Sequence, residues 1–223
     1  MRVGIAGASG YAGAELARLC AGHPDLELVW ASAGSPAGAG HAGESVADLY
    51  PSLAGAYPEL TFAELDPAGA DGLDLVFLAL PHGVSQSLVP DLAKRVGAVV
   101  DLSADFRLSD PAVYRAWYGT EHAAPGLLTE AVYGLPELTR DRLPGASLVA
   151  AAGCYPTAAA LALAPLVSAG AIEPAGVVVD AASGLSGAGA RPSPTSHFAA
   201  ANEDLTAYGL LTHRHTPEIE QAT

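Results

Sequence analysis

The sequence is short of cysteine, of basic residues and of long apolar runs. Each shortage closes off a class of protein. Two cysteines in 223 residues, Cys20 and Cys154, cannot make a disulfide framework, so a reducing, cytoplasmic setting is expected. Ten Lys+Arg stand against 24 Asp+Glu, a formal net charge of -14, and Lys94 is the only lysine. Such a chain has nothing with which to neutralise a row of phosphates, so neither a nucleic-acid partner nor an anionic membrane surface is expected. No stretch approaches the roughly 20 apolar residues of a membrane span. The N-terminal MRVGIAGASG breaks into glycine without the apolar run and cleavage site of a signal peptide.

What is present is an alternation of strand and helix patterns. RVGIAGA (2–8), LELVWAS (26–32), DLVFLAL (74–80), GAVVDLSA (97–104) and SLVAAAG (147–153) read as buried strands. YAGAELARLC (11–20) reads as a helix, with Ala14, Leu16, Ala17 and Leu19 available to face a sheet. Residues 84–96 read as a second helix, shortened or kinked at Pro90, and 155–170 as a third. GVVVDAAS (176–183) reads as a further strand, followed by a glycine- and serine-rich loop over 184–196. Pro217, with Glu218 and Glu220 behind it, marks the start of a last helix. Alternation of this kind implies βαβ units and an open parallel sheet. The chemistry of the motifs divides the chain into residues 1–150 and 151–223.

GASGYAG (7–13) joins the first strand to the first helix, and its Gly7, Gly10 and Gly13 give G-x-x-G-x-x-G. Glycines there let the backbone approach a pyrophosphate, whose charge the helix N-terminus favours. An NAD site usually places an acidic residue at the end of the second strand. Here Trp30-Ala31-Ser32-Ala33-Gly34-Ser35 offers no carboxylate to repel a 2′-phosphate. Ser32 and Ser35 are therefore expected to favour NADP over NAD.

Cys154 precedes Tyr155-Pro156-Thr157 and a helix-forming run, so it stands at a helix entrance. The positive end of a helix dipole favours a thiolate, the reactive form of cysteine. Cys20, inside the first helix, reads as a small buried hydrophobe. His213 and His215 lie two apart in HRHTPEIE (213–220). That spacing suits a zinc site only if further ligands join it. The better reading is an acid/base for thiol chemistry, with no metal, and the residues themselves do not choose between the two histidines.

GASGYAGAEL, LALPHG (78–83), DLSADFRL (101–108), YGLPEL (133–138), AAGCYPTA (151–158), SGLSGAGA (183–190) and HRHTPEIEQ (213–221) occur in that order. Together these segments resemble the N-acetyl-gamma-glutamyl-phosphate reductases, and the resemblance runs the length of the chain. It implies an α/β fold: an N-terminal Rossmann parallel sheet that binds NADP(H) over 1–150, followed by an α+β catalytic domain of the glyceraldehyde-3-phosphate dehydrogenase type over 151–223. Chains of the family are usually longer, so the second domain is expected to be incomplete. The resemblance further implies Cys154 as nucleophile and His215, with His213 close behind, as acid/base. It implies cofactor contacts from Gly7, Ser9, Gly10, Tyr11, Ala12, Gly13, Pro81, Ser183, Gly184 and Gly187. For a small acyl-phosphate substrate it points to Arg107, Ser186, Arg214 and Glu218, with Arg191 another candidate. A homo-oligomer is the expected assembly. Two other readings stay open: an NADP-binding module without turnover, and a related reductase such as aspartate-semialdehyde dehydrogenase.

Overall fold

The computed structural model describes residues 1–33 and 40–223. Six strands, β1 (Arg2–Ala6), β2 (Glu27–Ser32), β3 (Leu75–Leu78), β4 (Ala98–Asp101), β5 (Val132–Gly134) and β6 (Leu148–Ala151), form one sheet in the order β2-β1-β3-β4-β6-β5. Every ladder is parallel. Side chains alternate across the strands, so each face has its own core. Val3 and Ile5 of β1 face one way, with Ala17 and Cys20 of α1 (Tyr11–Gly22). Val76 and Leu78 of β3 face the other, with Val89 and Leu92 of α3 (Ser85–Leu92), a helix that follows the single-turn α2 (Val46–Leu49).

The strand and helix positions read from sequence reappear with trimmed ends, and two features differ. The inward stripe of α1 is Gly13, Ala17 and Cys20, whereas Leu19 is 53% exposed. The helix phase follows the close approach of Gly13 to the glycine turn rather than the larger apolar side chains. Burial also raises the Cys20 thiol above its ordinary value, as befits a core residue. The second difference is at 176–183, where the expected strand is backbone with no ladder partner among the described residues. Strand geometry needs a neighbour for its N–H and C=O groups, and none is there.

Helix α4 (Pro111–Tyr118) was not anticipated. Its signals are nonetheless in the sequence: the Asp110 carboxylate accepts from the Ala112 amide, Pro111 opens the helix, and Gly119 closes it at φ 74°. The chain continues through α5 (Pro136–Thr139), α6 (Cys154–Ser168), α7 (Phe198–Ala201) and α8 (Thr216–Ala222). Helices α6 and α8 pack together. No helix among the described residues is long and apolar enough to cross a membrane.

Candidate active site

A parallel sheet delivers its loops to one edge, the carboxyl ends of the strands. The loops after β1, β3, β4 and β6 carry, respectively, residues 7–13, Pro81 and His82, Arg107, and Cys154. The glycine turn lies where strand order reverses, between β1 and its neighbours β2 and β3. Strand β6 lies three ladder spacings from β1, about 14 Å. That distance suits an extended dinucleotide with one end at the glycine turn and the other beside Cys154.

At Gly7 the backbone turns with φ +86°, and a Cβ there would sit 2.3 Å from the Ala79 carbonyl oxygen. Only glycine fits. The amides of Gly7 and Ala8 donate to the Ser32 carbonyl at 3.2 and 2.9 Å, tying the turn to the end of β2. Gly10 caps α1 without a side-chain hydrogen bond, and no acidic residue stands in the first turn. The first amides of a helix have no intrahelical acceptor, so those of Tyr11, Ala12 and Gly13 are free to meet an anion. The Ser9 carbonyl is held from outside by the Tyr50 hydroxyl at 2.7 Å. Ser32 is fully buried, and its hydroxyl has no hydrogen-bond partner among the described residues. Ser35, the other candidate for a 2′-phosphate, lies outside the described residues.

Cys154 is the first residue of α6 and is exposed. Its helix has no side-chain cap and no acidic residue in its first turn, and the Glu218 carboxylate meets this entrance from α8, accepting from the Gly153 amide at 2.8 Å. The capping Gly153 is tightly walled: a Cβ there would meet Arg107 Nη1 at 2.6 Å and His215 Nε2 at 2.9 Å. His215 thus lies against the residue that precedes the thiol. Burial pushes its imidazole down to about 4, helped by the charges of Arg107, His213 and His82. The ring is neutral near pH 7, and its buried Nδ1 has no hydrogen-bond partner among the described residues. His213 Nδ1 accepts from the His215 amide at 3.1 Å, and the two rings lie 4.8 Å apart. Tyr155 stands edge-on to both, and its hydroxyl lies 2.7 Å from that of Tyr208. The bond to Tyr155 is the chief reason that the Tyr208 phenol is pushed up to about 12.

Arg107 and Glu218 are both buried, 7% and 2% exposed. Their closest atoms are 3.4 Å apart, and the remaining donors and acceptors go to the surrounding backbone and to Tyr133. Arg214 lies over the Tyr118 ring at 5.5 Å, and Tyr118 in turn meets the His82 ring edge at 6.0 Å. Pro81 is exposed beside His82. Ser183 lines a cavity of about 740 Å³ together with Tyr155, Tyr208, His213 and His215. Gly184, Ser186 and Gly187 continue from Ser183 as an exposed loop, and Arg191 beyond them is exposed as well. The structure therefore gathers Cys154, His213, His215, Arg107 and Glu218 around one helix entrance. It sets Ser186 and Arg191 on a surface segment without a bonded neighbour among the named candidates. Tyr118, Tyr133 and Tyr208 join the site unforeseen. For Tyr118 the signal was the Asp-Pro start and glycine stop of α4.

Residues 2–146 match the family described as semialdehyde dehydrogenase, NAD binding domain, and residues 154–223 match semialdehyde dehydrogenase, dimerisation domain. The chain is 50% identical over 222 residues to N-acetyl-gamma-glutamyl-phosphate reductase of Symbiobacterium thermophilum, covering 99% of this chain and 62% of that protein. It is 50% identical over 220 residues to the reductase of the same name from Methanopyrus kandleri, covering 98% of this chain and 62% of that one. It thus spans 62% of the length of these relatives. Among solved structures it is similar to aspartate semialdehyde dehydrogenase with NADP from Candida albicans, with a TM-score of 0.52 and 18% identity over 75% of this chain and 46% of that one. The Vibrio cholerae aspartate semialdehyde dehydrogenase II, complexed with ASA, gives 0.50 and 16% over the same shares. At such identities the likeness concerns the fold.

Proposed function

Because the chain belongs to the semialdehyde dehydrogenase family, we propose that it reduces N-acetyl-gamma-glutamyl phosphate to N-acetylglutamate semialdehyde and phosphate, using NADPH, in arginine biosynthesis. The observation that carries this reading is an exposed thiol at the first residue of α6, with the neutral imidazole of His215 against the adjoining Gly153. The identity to reductases of that name supports the choice of acyl group.

The residues fit a dinucleotide phosphate. Free amides in the first turn of α1 suit its pyrophosphate, and the orphaned Ser32 hydroxyl at the end of β2, with no carboxylate beside it among the described residues, suits NADP over NAD. Bound NADPH would supply a hydride to an acyl carbon. Ser183, Gly184 and Gly187 are the candidates for the nicotinamide side of the cleft, and Pro81, in the loop after β3, is a further candidate for the cofactor.

Cys154 Sγ would attack the acyl carbon of the substrate, forming a C–S bond as the C–O bond to phosphate breaks. His215 takes the thiol proton, and His213 supports it through the bond between His213 Nδ1 and the His215 amide. Amides at the α6 entrance stabilise the negative oxygen that develops on the carbonyl. After reduction His215 returns a proton, the C–S bond breaks, and the semialdehyde leaves. Arg214 and Ser186 are the candidates for the polar ends of the substrate, and the Arg107 charge lies close behind His215.

The dimerisation-domain match supports a homo-oligomer, and a small-molecule substrate rather than a nucleic acid suits the charge of -14. A reducing cytoplasm is the proposed setting, since Cys154 must stay a thiol.

The test is the reverse reaction: semialdehyde, NADP and phosphate, with NADPH absorbance as the readout. Turnover that Cys154→Ala abolishes is expected. Turnover that survives this substitution, or NADPH binding without any turnover in the unaltered chain, would end the proposal.

A further inference from the structure

We propose that Glu218 is a positioning residue that fixes the Gly153–Cys154 turn, and does not itself touch substrate. The inference rests on the thiol chemistry proposed for Cys154. Glu218 stands in the first turn of α8, but its side chain is turned inward. Oε1 accepts from the Gly153 amide at 2.8 Å and from the Tyr133 hydroxyl at 2.9 Å, and Oε2 faces Arg107 Nη1 at 3.4 Å. A carboxylate buried this deeply persists only where such partners replace water. The partners are the backbone flanking the thiol and groups fixed to that backbone. Arg107 donates from Nε to the Ala151 carbonyl at 2.8 Å and from Nη2 to the Leu102 carbonyl at 2.7 Å, gripping the ends of β6 and β4.

One helical turn further along α8, Gln221 Oε1 accepts from the Ser109 amide and hydroxyl, each at 2.9 Å, and Gln221 Nε2 donates to the Arg107 carbonyl at 2.9 Å. The helix is thereby stitched to the loop after β4. His215 is the cap of this same helix, three residues before Glu218. A single rigid element therefore presents the imidazole and holds the turn that presents the thiol. Their separation is set by one helix rather than by two loops, as a proton transfer between them requires.

The experiment compares Glu218→Gln and Glu218→Ala by hydrogen exchange of the Gly153 amide and by turnover in the reverse assay. Glu218→Gln keeps an oxygen toward Gly153 and Tyr133; Glu218→Ala removes it. The Ala variant is expected to exchange the Gly153 amide about tenfold faster or more and to lose about tenfold or more in kcat, with KM for the semialdehyde little changed. The Gln variant should retain the protection and most of the kcat. Unchanged Gly153 exchange in Glu218→Ala, or a rise in KM with kcat intact in both variants, would overturn the assignment and return Glu218 to the substrate. Should Glu218→Ala not fold, Tyr133→Phe removes one donor and is expected to speed Gly153 exchange about threefold; no change there would count equally against it. Turnover surviving Cys154→Ala would defeat the thiol reading while leaving the exchange result standing, so the two failures are distinguishable.

Discussion

Val76 in β3 is fully buried, while Val178, in an equally apolar run, is 89% exposed. The two stretches, LVFL at 75–78 and VVV at 177–179, differ little in β-forming character. They differ in neighbours. Strand β3 is flanked by β1 and β4, and both sheet faces are covered. The 176–183 segment has no ladder partner among the described residues, and Leu205, Leu210 and Leu211 nearby are largely exposed. Apolar β-formers make a strand only when something supplies the hydrogen bonds and the cover. The first 151 residues supply both for themselves, and the later ones are held instead by α6, α8 and the buried contacts of Arg107 with Glu218.

The sharpest way to break this comparison is chemical. If the site sits on the seam between the two regions, Cys154→Ala should remove turnover by about 10⁴-fold or more while leaving NADPH affinity within about twofold, as measured by cofactor fluorescence. Loss of cofactor binding would mean that the regions are not separable in this way. A smaller effect concerns the sheet: Ile5→Ala, at a fully buried position of β1, should cost about 2–5 kcal/mol in denaturant unfolding. Val178→Ala, in the unpaired run, should cost less than about 0.5 kcal/mol. Equal costs would show that the 176–183 run is buried in solution.

A third prediction uses the buried acid at the end of β4. Burial pushes the Asp101 carboxyl up to about 6, against the bonds from Ser85 and Ser103 that favour its charge. A carboxyl raised in the folded state stabilises the fold below its unfolded value, and that contribution is lost as pH rises through 6. The stability of the unaltered chain relative to Asp101→Asn in denaturant unfolding should therefore fall as pH rises from about 4 to about 6.5, by up to about 3 kcal/mol. A gap independent of pH would mean that Asp101 is ionised throughout. A smaller effect than these two losses of buried groups is expected for Asp110→Ala, which removes the α4 cap and should cost about 1 kcal/mol in denaturant unfolding.

By itself the sequence determined the features that live within about ten residues: the glycine turn before α1, five of the six strands of the sheet, the thiol at a helix entrance and a last helix opening near Pro217. Each is a matter of local backbone preference, periodicity or capping, and so is readable without the rest of the chain. Only the tertiary structure decided that Glu218 bonds Gly153 across 65 residues, Tyr133 across 85 and Arg107 across 111. It alone brought Arg214 over Tyr118 and turned Gly13 rather than Leu19 toward the sheet. It also left 177–179 without a ladder partner among the described residues. These outcomes depend on which distant groups compete for the same buried space and the same hydrogen bonds, and no local pattern records that competition.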